Sequence, residues 1–220
     1  MQKTGPEVST GARRDAFDTE LEQIEARVVR MFTLVSEGLA AATEAFLADD
    51  REIARAIVAG DRDIDDLLHT LEQIVERRLL DTPIGGPSEV RYLISVLRIA
   101  PELERSGDLI EHIALRTPQR LATDLTGRAR GLLHDMGRTA QVMWSTAAEA
   151  YIDRDESCLI DLRELDDVLD DLHVELTAEL SCGDVSVPAA IELGLVARFY
   201  ERLGDHAVNV AGRVAHTIDA

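Results

Sequence analysis

The second half of this 220-residue chain repeats the first half. Three short segments recur in the same order, and the two members of each pair share a pattern of apolar and acidic residues. The pairs are 45–50 with 150–155, 64–67 with 165–168, and 104–108 with 201–205. Because similar patterns place similar side chains on similar faces, the repeat predicts two folding units, at residues 17–117 and 121–218.

Apolar residues recur in both units at steps of three and four positions, which is the spacing of one helix face. Long helices joined by short connections pack as antiparallel neighbours. The predicted fold is therefore all-α, with six long antiparallel helices in two tandem three-helix bundles. The predicted helices are 17–49, 53–79, 88–116, 121–153, 156–180 and 188–218, with loops at 81–88 and 181–187.

The helical pattern is absent from one segment and contains a proline in another. Residues 1–16 are polar, contain Gly and Pro, and are predicted to form a disordered tail. Pro101 falls inside the third helix, where a proline costs about 3 kcal/mol locally. Packing can offset a cost of this size, so a kink is expected at Pro101 rather than a break.

The chain carries 42 acidic and 23 basic side chains, for a formal net charge of -19, and 4 % of its residues are aromatic. The scarcity of aromatic residues favours helices over a β-sandwich. The negative field repels nucleic-acid backbones and anionic lipids. No nucleic-acid binding is therefore expected, and cations or cationic partner surfaces are the natural complement.

The cysteines and the apolar segments indicate neither a thiolate metal site nor a membrane anchor. Cys158 and Cys182 are far apart, form no Cys-x-x-Cys motif, and are predicted to be buried free thiols. Residues 1–16 lack the apolar core of a signal peptide, and no later stretch is expected to span a bilayer. A cytoplasmic location is predicted.

Each unit carries two carboxylates four residues apart, which project from one face of a helix. Hard cations such as Mg²⁺, Mn²⁺ and iron accept several carboxylate oxygens from neighbouring helices. The preceding helix of each unit supplies further donors. The predicted metal ligands are Glu104, Asp108, Asp61 and Asp65 in the first unit and Glu201, Asp205 and Asp166 in the second, with Glu72 and Asp170 as additional donors.

A single Glu-x-x-x-Asp spacing in an acidic helical protein usually marks a solvated face. Here the spacing occurs twice, and each copy holds a mid-helix glycine, Gly107 or Gly204, which costs about 1 kcal/mol relative to Ala. Close approach of a facing helix or of an ion would explain the glycines. A shared role in metal binding or at an interface is therefore predicted.

The residues beside the carboxylates are predicted to have simpler roles. Arg105 and Arg202 are expected to form surface ion pairs, with an anion or a partner carboxylate as the alternative. His112 and Asn209 hold equivalent positions and are expected to form hydrogen bonds rather than to bind metal. His206 follows the second carboxylate pair and either supports a metal ligand or is exposed.

The sequence contains no recognisable catalytic motif. It has no Gly-x-Ser-x-Gly segment, no paired Cys and His, and no Gly-rich phosphate loop. Trp144 lies at helical spacing with Met136 and Met143 and is expected to pack in the core. The chain is therefore not expected to be an enzyme.

The segments around the carboxylate pairs resemble the repeated motif of the PhoU family. Residues 103–108 and 198–211 each contain a Glu-Arg-x-Gly-Asp core, and residues 61–72 are similar to the preceding helix of the family. The resemblance covers about residues 17–217, in order. It implies two three-helix bundles with multinuclear sites on the acidic motifs, for divalent or trivalent iron, zinc, manganese or magnesium ions.

The same resemblance implies a cytoplasmic negative regulator of phosphate uptake and of phosphate-regulon signalling. The implied partners are the ATPase of the phosphate ABC transporter and a phosphate-sensing histidine kinase. The chain would then be peripheral to the membrane through these partners alone, and a homodimer is compatible with this role.

Three positions depart from the family pattern. Pro101 interrupts a helix that is usually regular, and His112 replaces the usual Asn. Leu162 stands where the second unit would commonly have an acid matching Asp61. Metal binding is therefore expected to be less complete than the family pattern implies.

Two other classes of protein stay open. A carboxylate-bridged di-iron enzyme or an iron store of the ferritin type would require paired Glu-x-x-His motifs around one centre. The spacing from Glu201 to His206 does not provide such a motif. A purely structural helical scaffold would keep the fold and leave the acidic faces without ions, and metal analysis of protein purified without added ions distinguishes this case.

Overall fold

A computed structural model describes residues 10–80, 86–183 and 185–218, with side chains placed for 19–80, 86–183 and 185–215. Over these ranges the chain is helical and contains no strand, so the all-α prediction is confirmed. Two short 3-10 helices, Thr117–Gln119 and Leu121–Asp124, connect the halves. The α-helices are α1 (Thr10–Ala48), α2 (Arg51–Leu80), α3 (Pro87–Ala114), α4 (Gly127–Asp153), α5 (Cys158–Cys182) and α6 (Val187–Ile218).

The helix bounds differ from the prediction mainly at the first residues of α1 and α4. α1 begins at Thr10, so residues 10–16 extend a helix instead of a disordered tail, because lengthening an existing helix with Ala and Arg costs little. Residues 1–9 of that tail, and 81–85 of the predicted loop, lie outside the described residues. α4 begins at Gly127 rather than at 121, because the hydroxyl of Thr126 caps it by accepting the Ala129 N–H at 3.0 Å.

The turns after α1 and α4 are equivalent. Asp49 and Arg154 end these helices with φ of 56° and 54°, in the left-handed region. The carboxylate of the next residue, Asp50 or Asp155, then accepts the backbone N–H two residues later, at 3.0 and 2.9 Å. The repeated aspartates therefore form equivalent turns, one residue before the start of α2 and three residues before the start of α5.

Within each half the three helices contact one another, as three-helix bundles require. The halves meet through α1 against α4 and α3 against α6, while α2 and α5 lie on the outside. Buried apolar residues of all six helices form one continuous cluster. α3 continues without interruption through Pro101, so the proline does not break the helix, as predicted.

Buried side chains join the two halves. Trp144 is fully buried, as predicted, and its ring centroid lies 6.1 Å from that of Phe32 on α1. The hydroxyl oxygens of Thr43 and Tyr200 lie 2.9 Å apart, both buried. These contacts make the two bundles share a core rather than sit side by side.

Among the described residues, α1 contains one long apolar segment. Its Thr19–Ala48 segment has the length and composition to cross a membrane, which was not expected from the sequence, but the core helices of soluble proteins give the same signal. Val28, Val35 and Leu39 within it have no exposed surface, because they pack in the shared core.

The cysteines are free, but the prediction that they are buried was wrong. Cys158 is half-buried and Cys182 is exposed. They are the first and last residues of α5, and Cys158 packs against the edge of the core.

Candidate metal sites on two acidic faces

The first acidic face lies where α2 packs against α3, and comprises Asp61, Asp65, Glu104 and Asp108. Burial, followed by the charges of Glu111, Asp65 and Asp108, raises the pKa of Asp61 to about 6. Burial, followed by the charges of Asp108 and Asp65, raises the pKa of Glu104. The four predicted residues therefore lie within electrostatic reach of one another.

The second acidic face lies where α5 packs against α6, and comprises Asp166, Asp170, Glu201 and Asp205. Burial, followed by the charges of Asp205, Asp170 and Glu201, raises the pKa of Asp166 to about 6. Burial and then Asp205 raise the pKa of Glu201, and the ion pair with Arg198 opposes this shift. The two faces thus share the same electrostatic character.

The mid-helix glycines let the outer helices approach these faces. A Cβ on Gly107 would lie 2.9 Å from the Ile64 side chain and 3.5 Å from Oδ1 of Asp61. A Cβ on Gly204 would lie 2.7 Å from the leucine three residues beyond Asp166 and 3.1 Å from Oδ1 of Asp166 itself. Of the two explanations expected for these glycines, a facing helix or an ion, the structure shows the facing helix.

These contacts also correct the alignment of the two halves. Asp166 holds the place of Asp61, whereas the sequence pairing matched it with Asp65. The acid expected near Leu162 is therefore present one helical turn later, and Leu162 is fully buried in the core. A shift of four residues keeps side chains on nearly the same helix face, so periodicity does not detect it.

The histidines near the faces differ from each other. His112 lies close enough to Asp61 for its charge to lower the pKa of that carboxyl, and its ring centroid is 5.5 Å from that of Phe199. His206 is buried, and its Nδ1 lies 3.0 Å from Oγ of Ser106. Its burial, which lowers its pKa, excludes the exposed position that the sequence left open.

Other neighbouring residues are only partly as predicted. Arg105 forms an ion pair of 2.8 Å with Glu102, in line with the expected surface pairing. Glu72 contributes to none of the pKa shifts on the first acidic face. Glu111, which sequence reasoning missed, has a larger effect on Asp61 than Asp65 has. Its position three residues after Asp108 placed it on the same helix face.

The donor chemistry of both faces fits a hard cation, because clustered carboxylates are stabilised by positive charge. Oε2 of Glu201 is buried and has no hydrogen-bond partner among the described residues. In that same part of the chain, no group of three or more His, Cys, Asp or Glu side chains converges as ligands of one ion would. Ion binding would therefore require the carboxylates to rotate toward a common point.

The two faces lie on different helix pairs, and no charge of one face contributes to the pKa shifts of the other. A ferritin-type di-iron centre needs carboxylates from four helices around one point. The acidic residues that sequence analysis singled out do not have that arrangement.

The fold and the two acidic faces together define a class of protein. It is a helical bundle built from two repeats, and each repeat carries one acidic face. The family model named PhoU domain matches residues 28–117 and 133–214. The chain belongs to the PhoU family, as its sequence motifs predicted.

Curated relatives match over nearly the whole chain. The phosphate-specific transport system accessory protein PhoU homolog 2 of Mycobacterium tuberculosis is 31 % identical over 208 residues, covering 91 % of this chain and 95 % of the relative. PhoU homolog 1 of Thermotoga maritima is 31 % identical over 209 residues, covering 91 % and 88 %.

Solved structures share the fold. The phosphate transport system regulatory protein PhoU of Streptococcus pneumoniae has a TM-score of 0.79 and 26 % identity, covering 92 % of this chain and 96 % of that one. PhoU of Pseudomonas aeruginosa has a TM-score of 0.84 and 24 % identity, covering 92 % and 99 %.

Proposed function

We propose that this chain is a cytoplasmic, non-catalytic negative regulator of phosphate uptake and of phosphate-regulon signalling. The observation that carries the proposal is its membership of the PhoU family over both repeats. The relatives are named accessory proteins of phosphate-specific transport systems, and the Streptococcus pneumoniae structure is named a regulatory protein.

A regulator without catalytic chemistry acts by contact. The proposed partners are the ATPase of the phosphate ABC transporter and the phosphate-sensing histidine kinase, between which the chain serves as an adaptor. The names of the relatives support a place beside the transporter. The chain would reach the membrane through these proteins.

Metal ions belong to the same proposal. Asp61, Asp65, Glu104 and Asp108 would hold ions on the first acidic face. The second acidic face would use Glu201, Asp205, Asp166 and Asp170. A bound divalent or trivalent ion supplies positive charge that neutralises the clustered carboxylates. The raised pKa of Asp61 and Asp166 and the unpartnered Oε2 of Glu201 support this assignment.

Affinity purification of the tagged chain from its native host, grown with excess phosphate, tests the adaptor role. The phosphate transporter ATPase and the sensor kinase should co-purify, and deletion of the chain should raise phosphate uptake. If neither partner is enriched over an untagged control, the adaptor role is wrong. Recovery of a different transporter ATPase would assign the chain to another uptake system.

A further inference from the structure

A cavity of about 610 Å³ lies between α3, α5 and α6 and shares no lining residue with either acidic face. Four arginines line it, namely Arg91 and Arg98 from α3, Arg163 from α5 and Arg213 from α6. None of the described residues in its lining is acidic. The chain as a whole has a net charge of -19, so its average electrostatic potential is negative. This arginine cavity is a local region of positive charge.

Three of these arginines have no ion-pair partner in the described part of the chain. Arg213 is held by Glu102, whose Oε1 lies 2.6 Å from Nη2, and by the backbone carbonyl of Arg98. The side chains of Arg91, Arg98 and Arg163 form no ion pair with the acidic residues of the described part of the chain. Their positive charge is therefore available to a ligand.

The spacing of the arginines favours an extended anion. Arg91 and Arg98 are seven residues apart on one helix, which corresponds to a rise of about 10 Å along the cavity. Arg163 and Arg213 approach from two other helices. A single phosphate does not reach groups so far apart, whereas a chain of phosphates offers oxygens along the whole distance. Arginine matches phosphate oxygens in pairs, through its planar fork of donors.

The remaining lining allows an organic part in the ligand. Ile94, Leu159 and Val208 add apolar surface, while Ser95 and Asn209 add hydrogen-bonding groups. Cavities of about 300–1,000 Å³ accommodate whole small molecules. The cavity is thus large enough for a nucleotide as well as for a short inorganic chain.

We propose that the arginine cavity binds a small anion that carries a chain of two or more phosphate groups. The anion is either an inorganic polyphosphate or a nucleoside polyphosphate, which share the chemistry that the arginines recognise. The proposed ligand site shares no lining residue with either acidic face, and it does not depend on the proposed adaptor role.

Isothermal titration calorimetry of the full chain with sodium tripolyphosphate and with ATP tests the site. The buffer must be free of metal, so that ions on the acidic faces cannot bridge to phosphate. Arg98→Gln/Arg163→Gln should weaken binding by at least about tenfold, because charge-assisted hydrogen bonds contribute about 1.5–3 kcal/mol each. Binding should also weaken as salt is raised.

The matched control is Arg55→Gln/Arg138→Gln, which removes the same charge from exposed positions on α2 and α4. Its affinity should equal that of the unchanged chain. Arg213 is left in place because its loss would leave the buried carboxylate of Glu102 without this partner.

A second variant tests whether the ligand occupies the arginine cavity, and it leaves the charge of the protein unchanged. A Cβ on Gly212, which lines the cavity, meets no atom within 4 Å, so Gly212→Leu fills the cavity without strain at its first atom. This variant should lose tripolyphosphate and ATP binding while keeping the melting temperature of the unchanged chain.

Tighter binding of ATP than of tripolyphosphate identifies the nucleoside form, and the reverse identifies the inorganic form; both support the site. If neither anion binds, or if the control pair loses as much affinity as the cavity pair, the proposal is overturned. Gly212→Leu with unchanged affinity would overturn it as well. Failure to co-purify transporter partners would leave these results unaffected.

Discussion

At Gly137, the backbone of α4 packs directly against the Thr43 side chain of α1. A Cβ there would lie 2.5 Å from Cγ2 and 2.7 Å from Oγ1 of Thr43. Thr43 cannot move freely, because its hydroxyl is bonded to the Leu39 carbonyl at 2.8 Å and lies 2.9 Å from the hydroxyl of Tyr200. One missing methyl group therefore determines how closely the two halves pack.

Gly137→Ala should reduce the free energy of unfolding by about 1–3 kcal/mol, the usual cost of overpacking a core. Gly131→Ala is the matched control on the same helix, since a Cβ there meets no atom within 4 Å. It should stabilise the protein by about 0.5–1 kcal/mol through helix propensity. Urea denaturation of both variants measures the difference, and equal stabilities would refute the close contact.

Asp166 gives the metal-free protein a pH dependence of defined sign. Its pKa in the folded state is about 6, above the ordinary 3.8, so the folded state binds the proton more tightly than the unfolded state does. The stabilisation linked to protonation of Asp166 is present at low pH and is lost as the pH rises from about 4 to about 6. At neutral pH the ionised carboxylate is a net cost.

Asp166→Asn should therefore be more stable than the unchanged chain at pH 7.5, and this advantage should vanish near pH 4. Thermal melts of chelator-treated protein at both pH values give the comparison. Asp171→Asn, an exposed position on the same helix, is the control for the loss of one charge. An advantage that is equal at both pH values would contradict the assignment.

At the scale of helix pairs, the two acidic faces are equivalent elements, for which we propose one function. α2 with α3, and α5 with α6, each bring four carboxylates together behind a glycine contact. Like charges at such a face repel one another unless protons or cations neutralise them. A metal that binds the folded form alone must raise stability by mass action, about 2.7 kcal/mol at a hundredfold excess over its Kd.

Glu201→Gln/Asp205→Asn should remove most of the metal-dependent rise in Tm at the second acidic face, while the metal-free fold stays intact because the repulsion is removed too. The rise in the unchanged chain should be roughly 5–10 °C for a chain of this size. The corresponding variant of Glu104 and Asp108 should behave in parallel.

Glu164→Gln/Asp171→Asn carries the same charge change at exposed positions of α5 and should keep the full shift. Differential scanning calorimetry with and without added Mn²⁺, together with elemental analysis, provides the measurement. If neither face variant alters metal content or melting, the carboxylates are interface or surface features.

At the scale of the whole molecule, the two repeats form one structural unit. The core is continuous through α1, α3, α4 and α6, and Phe32 of the first half packs against both Trp144 and Tyr151 of the second. A core shared in this way couples the stabilities of the halves. Unfolding should therefore be a single cooperative transition.

Phe32→Ala should lower the free energy of unfolding by about 3–5 kcal/mol, because it opens a cavity between the halves. Far-UV circular dichroism follows all helices, whereas fluorescence of the single Trp144, which packs against Phe32, reports the contact between the halves. The two probes should give one common transition in the unchanged chain and in the variant. Separate transitions would show that the repeats unfold independently.

The sequence by itself determined the helical fold, the repeat and the residue types of both acidic faces. Helices are specified by local spacing, and the spacing of Glu104 with Asp108 and of Glu201 with Asp205 is itself local. The turn aspartates at 50 and 155 were visible in the sequence as part of the repeat, and each accepts a backbone N–H two residues later.

Features that depend on contact between helices became visible only in the tertiary structure. The equivalence of Asp61 with Asp166 was invisible to periodicity, since a shift of one helical turn leaves the face unchanged. The shared core, the contact of Gly137 with Thr43 and the convergence of Arg91, Arg163 and Arg213 on one cavity join residues far apart in the chain. Such contacts are selected by shape and packing between helices, which no local pattern in the sequence encodes.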